Sequence, residues 1–171
     1  MTFRQCQRTL LAALTAAAAA IACGKAPPPI VMPAPPPLTI AAPPEAKVKS
    51  PLTIRVSDDA NPDRNGRPSQ VVLRVYQLKT DAAFTAAELL PLYDDEQKVL
   101  GPELISRDEF VLQPSDTRTI DVTLSGEARF IGVIVPFRDD RNAQWRAVLP
   151  APSGGLTVDV RRASVVLKPA P

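Results

Sequence analysis

Short runs rich in Val, Ile and Leu, separated by turn residues, follow one another from Pro51 almost to the end of the chain. Several of them alternate apolar and polar residues with a period of two, which is typical of strands with one buried face. The run from Arg129 to Phe137 is nearly all apolar, which predicts a central strand buried on both faces. The pattern predicts eight strands, at Leu52–Val56, Gln70–Leu78, Phe110–Leu112, Thr119–Leu124, Arg129–Phe137, Trp145–Leu149, Leu156–Val160 and Ser164–Leu167. Because no alternating βαβ units occur, we predict a mainly β fold, an antiparallel sandwich of two sheets.

Residues 81–107 interrupt the strands with a pattern that predicts helix. Thr85 and Glu88 have the spacing of a capping box, in which each side chain bonds a backbone N–H at the start of a helix. Pro91 cannot lie inside a continuous helix without strain, so we expect two short helices or a kink there. Gly101, followed by a proline, marks the end of the segment. We therefore predict a helical insertion between the second and third strands.

The first 22 residues are typical of a bacterial export signal. Arg4 and Arg8 precede residues 10–22, which are almost wholly apolar. This run is too short to cross about 30 Å of hydrocarbon as a helix, but it has the length of a signal-peptide core. Since Cys23 follows directly, we predict cleavage before it and attachment of lipid to its sulfur; the alternative is an ordinary signal peptide with Cys23 incidental. Gly24, where lipoproteins retained at the inner membrane usually carry Asp, favours the outer membrane.

Residues 23–50 are predicted to form the lipidated cysteine and a tether. Nine prolines occur in residues 24–50, and proline lacks a backbone donor and fixes φ, which excludes a helix or an interior strand. At about 3.1 Å per residue in an extended polyproline conformation, the segment reaches on the order of 80 Å. A PxxP docking ligand is the alternative interpretation. The folded domain is then predicted at residues 51–171.

Composition narrows the classes of function. The chain has 171 residues, which suits one folded domain, and a net charge of +2, which argues against a nucleic-acid partner. It has no histidine, so the commonest general base and the usual zinc ligand are missing. No serine lies in a nucleophile-elbow motif, and there is no glycine-rich phosphate loop. We therefore predict that the chain is not an enzyme and binds no cofactor or metal ion.

The stretch from Asn61 to Lys79 contains NPDRNGRPS and then VVLRVYQLK, and it resembles the TssJ family of outer-membrane lipoproteins in the bacterial type VI secretion system. Further fragments agree in order, among them Leu92-Tyr93, Gly132-Val133 and Trp145-Arg146. The resemblance covers about residues 51–168, and the lipid-attachment signal upstream fits it.

This resemblance implies a transthyretin-like sandwich with a helical addition and a protruding loop between the first two strands. It implies a position in the periplasm, under the outer membrane. It also implies binding to the periplasmic C-terminal region of TssM, a large inner-membrane protein that associates with TssL. Proteins of this family are not enzymes.

The loop at residues 57–69, between the first two predicted strands, is the main candidate site. Thirteen residues are far more than the two to five of most hairpin loops, so the loop is either functional or disordered. The resemblance implies that it contacts TssM, and we predict as partner-binding residues Asn61, Pro62, Asp63, Arg64, Asn65, Gly66 and Arg67. One alternative is a solvated connection whose Asn and Asp side chains bond their own backbone. Another, a calcium site at the loop aspartates, lacks the glycine and the glutamate of an EF-hand.

Two further features have a structural interpretation. The acidic run from Asp94 to Glu96 is predicted to be an exposed helix end; the alternative, a carboxylate pair for acid–base chemistry, requires a desolvating cleft. Trp145 is predicted to anchor the core or a sheet edge, with an exposed partner contact as the alternative.

Two other functions remain open at this point. One is a pilotin-like lipoprotein that assists a secretin. The other is a periplasmic hydrolase or carbohydrate-binding lipoprotein, which the missing histidine and the single Trp disfavour.

Overall fold

The computed structural model describes residues 47–170, which form two packed four-stranded sheets and a short helical segment. A strand occurs at each of the eight predicted places. The strands are β1 (Lys47–Val56), β2 (Val71–Leu78), β3 (Leu104–Leu112), β4 (Thr117–Ser125), β5 (Phe130–Ile134), β6 (Arg146–Pro150), β7 (Leu156–Val160) and β8 (Val165–Pro169).

Sheet A has the strand order β4-β1-β7-β8, and sheet B has the order β3-β2-β5-β6. β1 and β7 run parallel, with Leu52 beside Leu156, and the other strand pairs are antiparallel. The predicted two-sheet, mainly β fold is therefore confirmed, with one parallel pair in sheet A. β5 lies inside sheet B, between β2 and β6, as its apolar sequence predicted.

The main core lies between the two sheets. Alternate residues of each strand point into it, so that Ile54 of β1, Leu73 of β2, Val133 of β5 and Val158 of β7 belong to one buried cluster. A second buried cluster lies on the outer face of sheet B, where Tyr76 packs beneath the helical segment. Because both faces of sheet B are covered, β5 has no solvent-facing side.

Three short helices form the segment between β2 and β3: α1 (Ala82–Ala86), α2 (Leu89–Asp94) and α3 (Glu96–Leu100), followed by a 3₁₀ turn at Gly101–Glu103. Pro91 is the third residue of α2. An N–H at this place would have no acceptor within the helix, so the helix loses no hydrogen bond to proline there. The expected interruption near this proline is thus confirmed.

The predicted capping box is wrong. Thr85 lies inside α1, and Glu88 precedes α2 without any side-chain capping bond. The side chain that caps a helix is Asp95, which accepts a 3.1 Å hydrogen bond from the N–H of Lys98 at the start of α3.

Several predicted boundaries also differ. The helical segment ends before residue 107, because β3 already begins at Leu104, where it pairs with Leu78 across an irregular register. β1 begins at Lys47 and not at Leu52, within the predicted tether, because residues 47–51 pair with the end of β4. These extensions come from pairing between strands, which alternation along a single strand does not show.

Candidate functional site

The loop between β1 and β2 joins sheet A to sheet B at one end of the sandwich. The connections β3–β4, β5–β6 and β7–β8 lie at the same end, because β1, β3, β5 and β7 all run toward it. The chain enters the domain at the opposite end, at Lys47. Ten residues of strand at about 3.3 Å each place these two ends about 30 Å apart.

Asn61 fastens this loop to the two neighbouring connections. Its side chain donates to the carbonyl of Gln70 (2.8 Å) and accepts from the N–H of Arg138 (2.8 Å). Its backbone N–H donates to the carbonyl of Arg162 (2.9 Å), and its carbonyl accepts from the hydroxyl of Ser69 (2.5 Å). Asn61 is only 6% exposed and has a φ of 49°, a left-handed conformation that Asn tolerates better than most residues.

The tip of the loop is organised around Asp63. One carboxylate oxygen accepts hydrogen bonds from the N–H groups of Asn65 (2.8 Å) and Arg67 (2.9 Å), and the other contacts Nε of Arg67 at 3.0 Å. The N–H of Gly66 donates to the carbonyl of Asp63 (2.9 Å), and Gly66 has a φ of 78°, which glycine adopts without strain. The loop therefore has an internally bonded tip.

The Asp63 carboxylate is held in its charged form. The hydrogen bond from the Arg67 backbone lowers the pKa of this carboxyl below its ordinary 3.8, and the Asn65 N–H and the Arg67 side chain act in the same direction. Because the pKa is lowered in the folded loop, the carboxylate's contribution to loop order is complete above pH 3.8 and is lost only as the pH falls through the lower value.

The predicted partner-binding residues divide into two groups. Asn61 is buried, so it positions the loop and presents no side chain to a partner. Pro62 and Asp63 are half-buried. The second group consists of the exposed residues that follow them, which are Arg64, Asn65, Gly66 and Arg67, together with Pro68. Sequence reasoning missed the anchoring atoms on Ser69, Arg138 and Arg162. Two of these three residues are distant in the chain, and both of those contribute only a backbone atom to the bond.

The acidic run Asp94–Glu96 is not wholly an exposed helix end, and for Glu96 the prediction is wrong. Its carboxylate contacts Arg107 Nε at 2.7 Å and Arg74 Nη1 at 3.2 Å, while Arg74 also contacts Glu109 at 2.7 Å. The Arg74 side chain is 11% exposed, and its guanidinium lies 3.8 Å from the centre of the Tyr93 ring. This cluster attaches α3 to the outer face of sheet B.

Trp145 is half-buried and packs against both apolar clusters, which agrees with its prediction as an anchor. Arg146 beside it donates to the carbonyls of Phe84 (3.2 Å) and Ala87 (2.7 Å) at the end of α1. These contacts link the helical segment to the edge of sheet B. The packing of Trp145 against both clusters gives this residue a structural role.

Within residues 47–170, no group of three or more His, Cys, Asp or Glu side chains is placed to hold a metal ion. The same part of the chain contains no helix that is both long and apolar enough to cross a bilayer.

A family model described as type VI secretion lipoprotein, with VasD, EvfM and TssJ in its description, matches residues 49–166. The crystal structure of the T6SS lipoprotein TssJ1 from Pseudomonas aeruginosa is similar, with 30% identity and a TM-score of 0.68 over 74% of this chain and 98% of that chain. Serratia marcescens Lip, described as a membrane-bound component of the type VI secretion system, has a TM-score of 0.67 over 74% of this chain and 99% of its own. At 23% identity, Lip supports the fold alone.

A third similar chain belongs to a structure described as the T6SS protein TssM C-terminal domain (869-1107) from EAEC. It is 29% identical, with a TM-score of 0.61, and the alignment covers 70% of this chain and 99% of that one. None of the curated proteins matches the sequence at a significant level.

Proposed function

Since the chain belongs to the TssJ family of type VI secretion lipoproteins, we propose that it anchors the secretion system's membrane complex to the outer membrane by binding TssM. The family is a structural component of this secretion system. In the proposal, lipid on Cys23 holds the chain at the periplasmic face of the outer membrane, and the loop tip binds the periplasmic C-terminal region of TssM. TssL is then connected only indirectly, through TssM.

The proposed partner is supported by the structure described as a TssM C-terminal domain. The alignment covers 99% of the matched chain but only 70% of the 171 residues of this protein. The matched chain is therefore about half as long as the TssM span 869–1107. We infer that the matched chain is not the TssM domain itself but a second protein in the same structure. Because the matched chain has the same fold as this protein, it indicates that a sandwich of this kind and TssM occur in one assembly.

The proposed contact is the exposed loop tip at residues 64–68, and the single observation that carries it is the fixed position of that tip. Asn61 and Asp63 hold the backbone on both sides of the arginines through hydrogen bonds. A tip that is ordered before binding loses little conformational freedom on association. Arg64 and Arg67 offer planar, multiply donating groups, which are enriched at the energetic centres of interfaces.

The lipid anchor is supported by the family and by the direction of the chain. Cys23 and the proline-rich residues 24–46 lie outside the described part of the chain. Lys47, to which they lead, is at the end of the sandwich opposite the loop. A tether attached there leaves the loop tip free to meet a partner that approaches from the inner membrane. Tethering also raises the effective concentration of the loop beside that partner.

The proposal is tested by measuring the affinity of the full chain, in detergent, for the periplasmic C-terminal region of the same organism's TssM. We expect binding by the wild type and at least a tenfold loss for Arg64→Glu, which corresponds to about 1.4 kcal/mol. Lys98→Glu is the matched control, because Lys98 is also exposed but lies on α3 in the helical segment. Equal affinities of both variants would move the contact away from the loop, and no binding by the wild type would refute the partnership.

A further inference from the structure

The two long sides of the sandwich differ. On the side of β6 and β8, backbone hydrogen bonds close the gap between the sheets: Gln144 donates to Ala163 (3.0 Å), and Val165 donates to Gln144 (2.9 Å). On the side of β3 and β4, which are also edge strands, the sheets separate around an open cleft of about 620 Å³. Apolar side chains form part of its lining, namely Ile105, Phe110, Ile120 and Val122.

Gln77 of β2 already bonds the edge of β4 at one end of this cleft. Its side-chain amide donates to the carbonyl of Thr123 (2.8 Å) and accepts from the N–H of Ser125 (2.9 Å). A residue of a parallel neighbouring strand bonds the same pair of groups, a carbonyl and the N–H two residues later. Gln77, which is 3% exposed, therefore occupies the place of one residue of an additional strand.

The next backbone groups along this edge face the cleft. In an antiparallel pair, the N–H and C=O of one residue point to the same side, and successive residues alternate. Thr123 and Ser125 direct bonding groups away from β1, so Thr119 and Asp121 do the same. Among residues 47–170, no backbone group bonds the N–H or C=O of Asp121 on this side. An unpaired edge of this kind is a template for strand addition.

The cleft carries a negative charge near its middle. Asp108 is paired with Val75, a residue of the core between the sheets, so its side chain lies on the inner face of β3. Asp121 borders the same cleft at the edge of β4, with its side chain on the exposed face opposite Val122. Neither carboxylate has an ion-pair partner among the described residues, and Lys47 lies at the far end, where β1 meets Ser125. A charge on the inner face of an edge strand opposes indiscriminate strand pairing, and it favours a segment with a basic side chain.

We propose that this cleft receives an extended, basic segment of the partner polypeptide, added as a strand along the free edge of β4. The segment's backbone bonds Thr119 and Asp121, its apolar side chains contact Ile120 and Phe110, and a basic side chain meets Asp108. This mode of recognition gives affinity through main-chain bonds and specificity through alternate side chains. The inference rests on the proposed function in one respect, namely that the partner is the TssM region that binds the loop.

The experiment compares two substitutions of one residue, using the full chain in detergent and the periplasmic C-terminal region of TssM as the probe. Asp121→Ala removes the carboxylate but keeps the backbone N–H, whereas Asp121→Pro also removes the N–H that faces the cleft. Proline is tolerated at this place in an edge strand, because the lost N–H does not bond β1. We expect Asp121→Ala to weaken binding a few-fold and Asp121→Pro to weaken it at least tenfold more; equal affinities of the two variants would overturn the proposal.

Amide hydrogen exchange in the wild type gives a second measurement that does not depend on how well a variant folds. The N–H groups of Thr119 and Asp121 are expected to exchange quickly in the free chain and to slow at least tenfold on saturation with the TssM region. Unchanged exchange in a saturated complex refutes strand addition while leaving loop binding intact. Absence of any complex with the wild type instead refutes the proposed function, so the two failures are distinguishable.

Discussion

At the scale of single residues, Asn61 shows how a buried side chain serves an exposed site. It combines a left-handed backbone conformation with four hydrogen bonds that connect three chain segments. An apolar residue in its place leaves the Gln70 carbonyl and the Arg138 N–H without these partners, and buried unpaired groups are costly. Together with Asp63, this residue holds the loop backbone that carries Arg64 and Arg67.

Asn61→Ala is expected to lower the free energy of unfolding by about 2 to 4 kcal/mol, from lost hydrogen bonds and from strain at positive φ. Asn61→Gly relieves the strain but not the lost side-chain bonds, so its effect is expected to be smaller than that of alanine. Urea denaturation measures both. Asn65→Ala, at the exposed tip, is the control and is expected to stay within about 0.5 kcal/mol of the wild type. An effect of Asn61→Ala as small as that of the control contradicts the anchoring role.

Tyr76 predicts a dependence of stability on alkaline pH. Burial raises the pKa of its phenol from 10.0 to about 12. Since the pKa is raised in the folded state, the resulting stabilisation is complete below pH 10 and is lost as the pH rises toward 12. Tyr76→Phe removes this group, whose hydroxyl contacts Glu96 at 3.4 Å and interacts with the Arg74 side chain. Urea denaturation at several pH values between 9 and about 12 measures the effect. The free energy of unfolding is expected to fall less steeply with pH for Tyr76→Phe than for the wild type.

At the scale of elements, the helical segment depends on one close approach to sheet B. Phe84 of α1 is fully buried, and its ring lies directly over Gly132 of β5. A Cβ atom at residue 132 would lie 2.7 Å from Cζ of Phe84, which is closer than real contacts allow. Arg146 holds the adjacent carbonyls of α1, so the helix cannot easily withdraw.

Gly132→Ala is therefore expected to destabilise the chain by about 1 to 3 kcal/mol through overpacking. Phe84→Leu supplies room, so the double variant is expected to be more stable than the sum of the two single changes allows. Gly154→Ala is the matched control, because nothing lies within 4 Å of its added Cβ. Thermal unfolding of the four variants provides the test, and strict additivity of Gly132→Ala and Phe84→Leu contradicts the proposed contact.

At the scale of the whole molecule, the two ends of the sandwich have different proposed tasks. The chain enters the sandwich at Lys47, and the loop connections lie at the other end of β1. If the signal is removed before Cys23, Arg4 and Arg8 leave with it, and the remaining 18 basic residues balance 18 acidic ones. Attraction to anionic lipid headgroups then contributes little to membrane attachment. In the proposed anchor, acyl chains on Cys23 would supply the membrane attachment, at about 0.8 kcal/mol per buried methylene.

Cys23→Ser is expected to release the protein from the membrane fraction into the soluble periplasmic fraction, because no lipid-bearing sulfur remains. Cell fractionation followed by immunoblotting measures the distribution. Cys6→Ser is the natural control, since Cys6 is the other cysteine in the sequence and lies within the predicted signal. Retention of Cys23→Ser in the membrane would show that something other than lipid on this cysteine holds the chain there.

The sequence by itself determined the number and approximate position of the strands. Alternation of apolar and polar residues reports which face of a strand is buried, so runs such as Leu52–Val56 and Leu156–Val160 were located from their own residues. The length of the loop after β1 likewise marked it as a candidate site. The cysteine after the apolar N-terminal run indicated an anchor, because this chemistry is read from neighbouring residues.

Only the tertiary structure decided which strands are neighbours and which residues hold the loop. Three contacts join segments that are far apart in the chain: the parallel pairing of β1 with β7, the bond from Gln77 to the edge of β4, and the bond from the Arg138 N–H to Asn61. The capping box failed for a related reason: Thr85 lies inside α1, a helix whose Phe84 packs over Gly132 of a strand distant in the chain. Local patterns record the environment of a residue, whereas partners across the fold are chosen by the packing of the two sheets together.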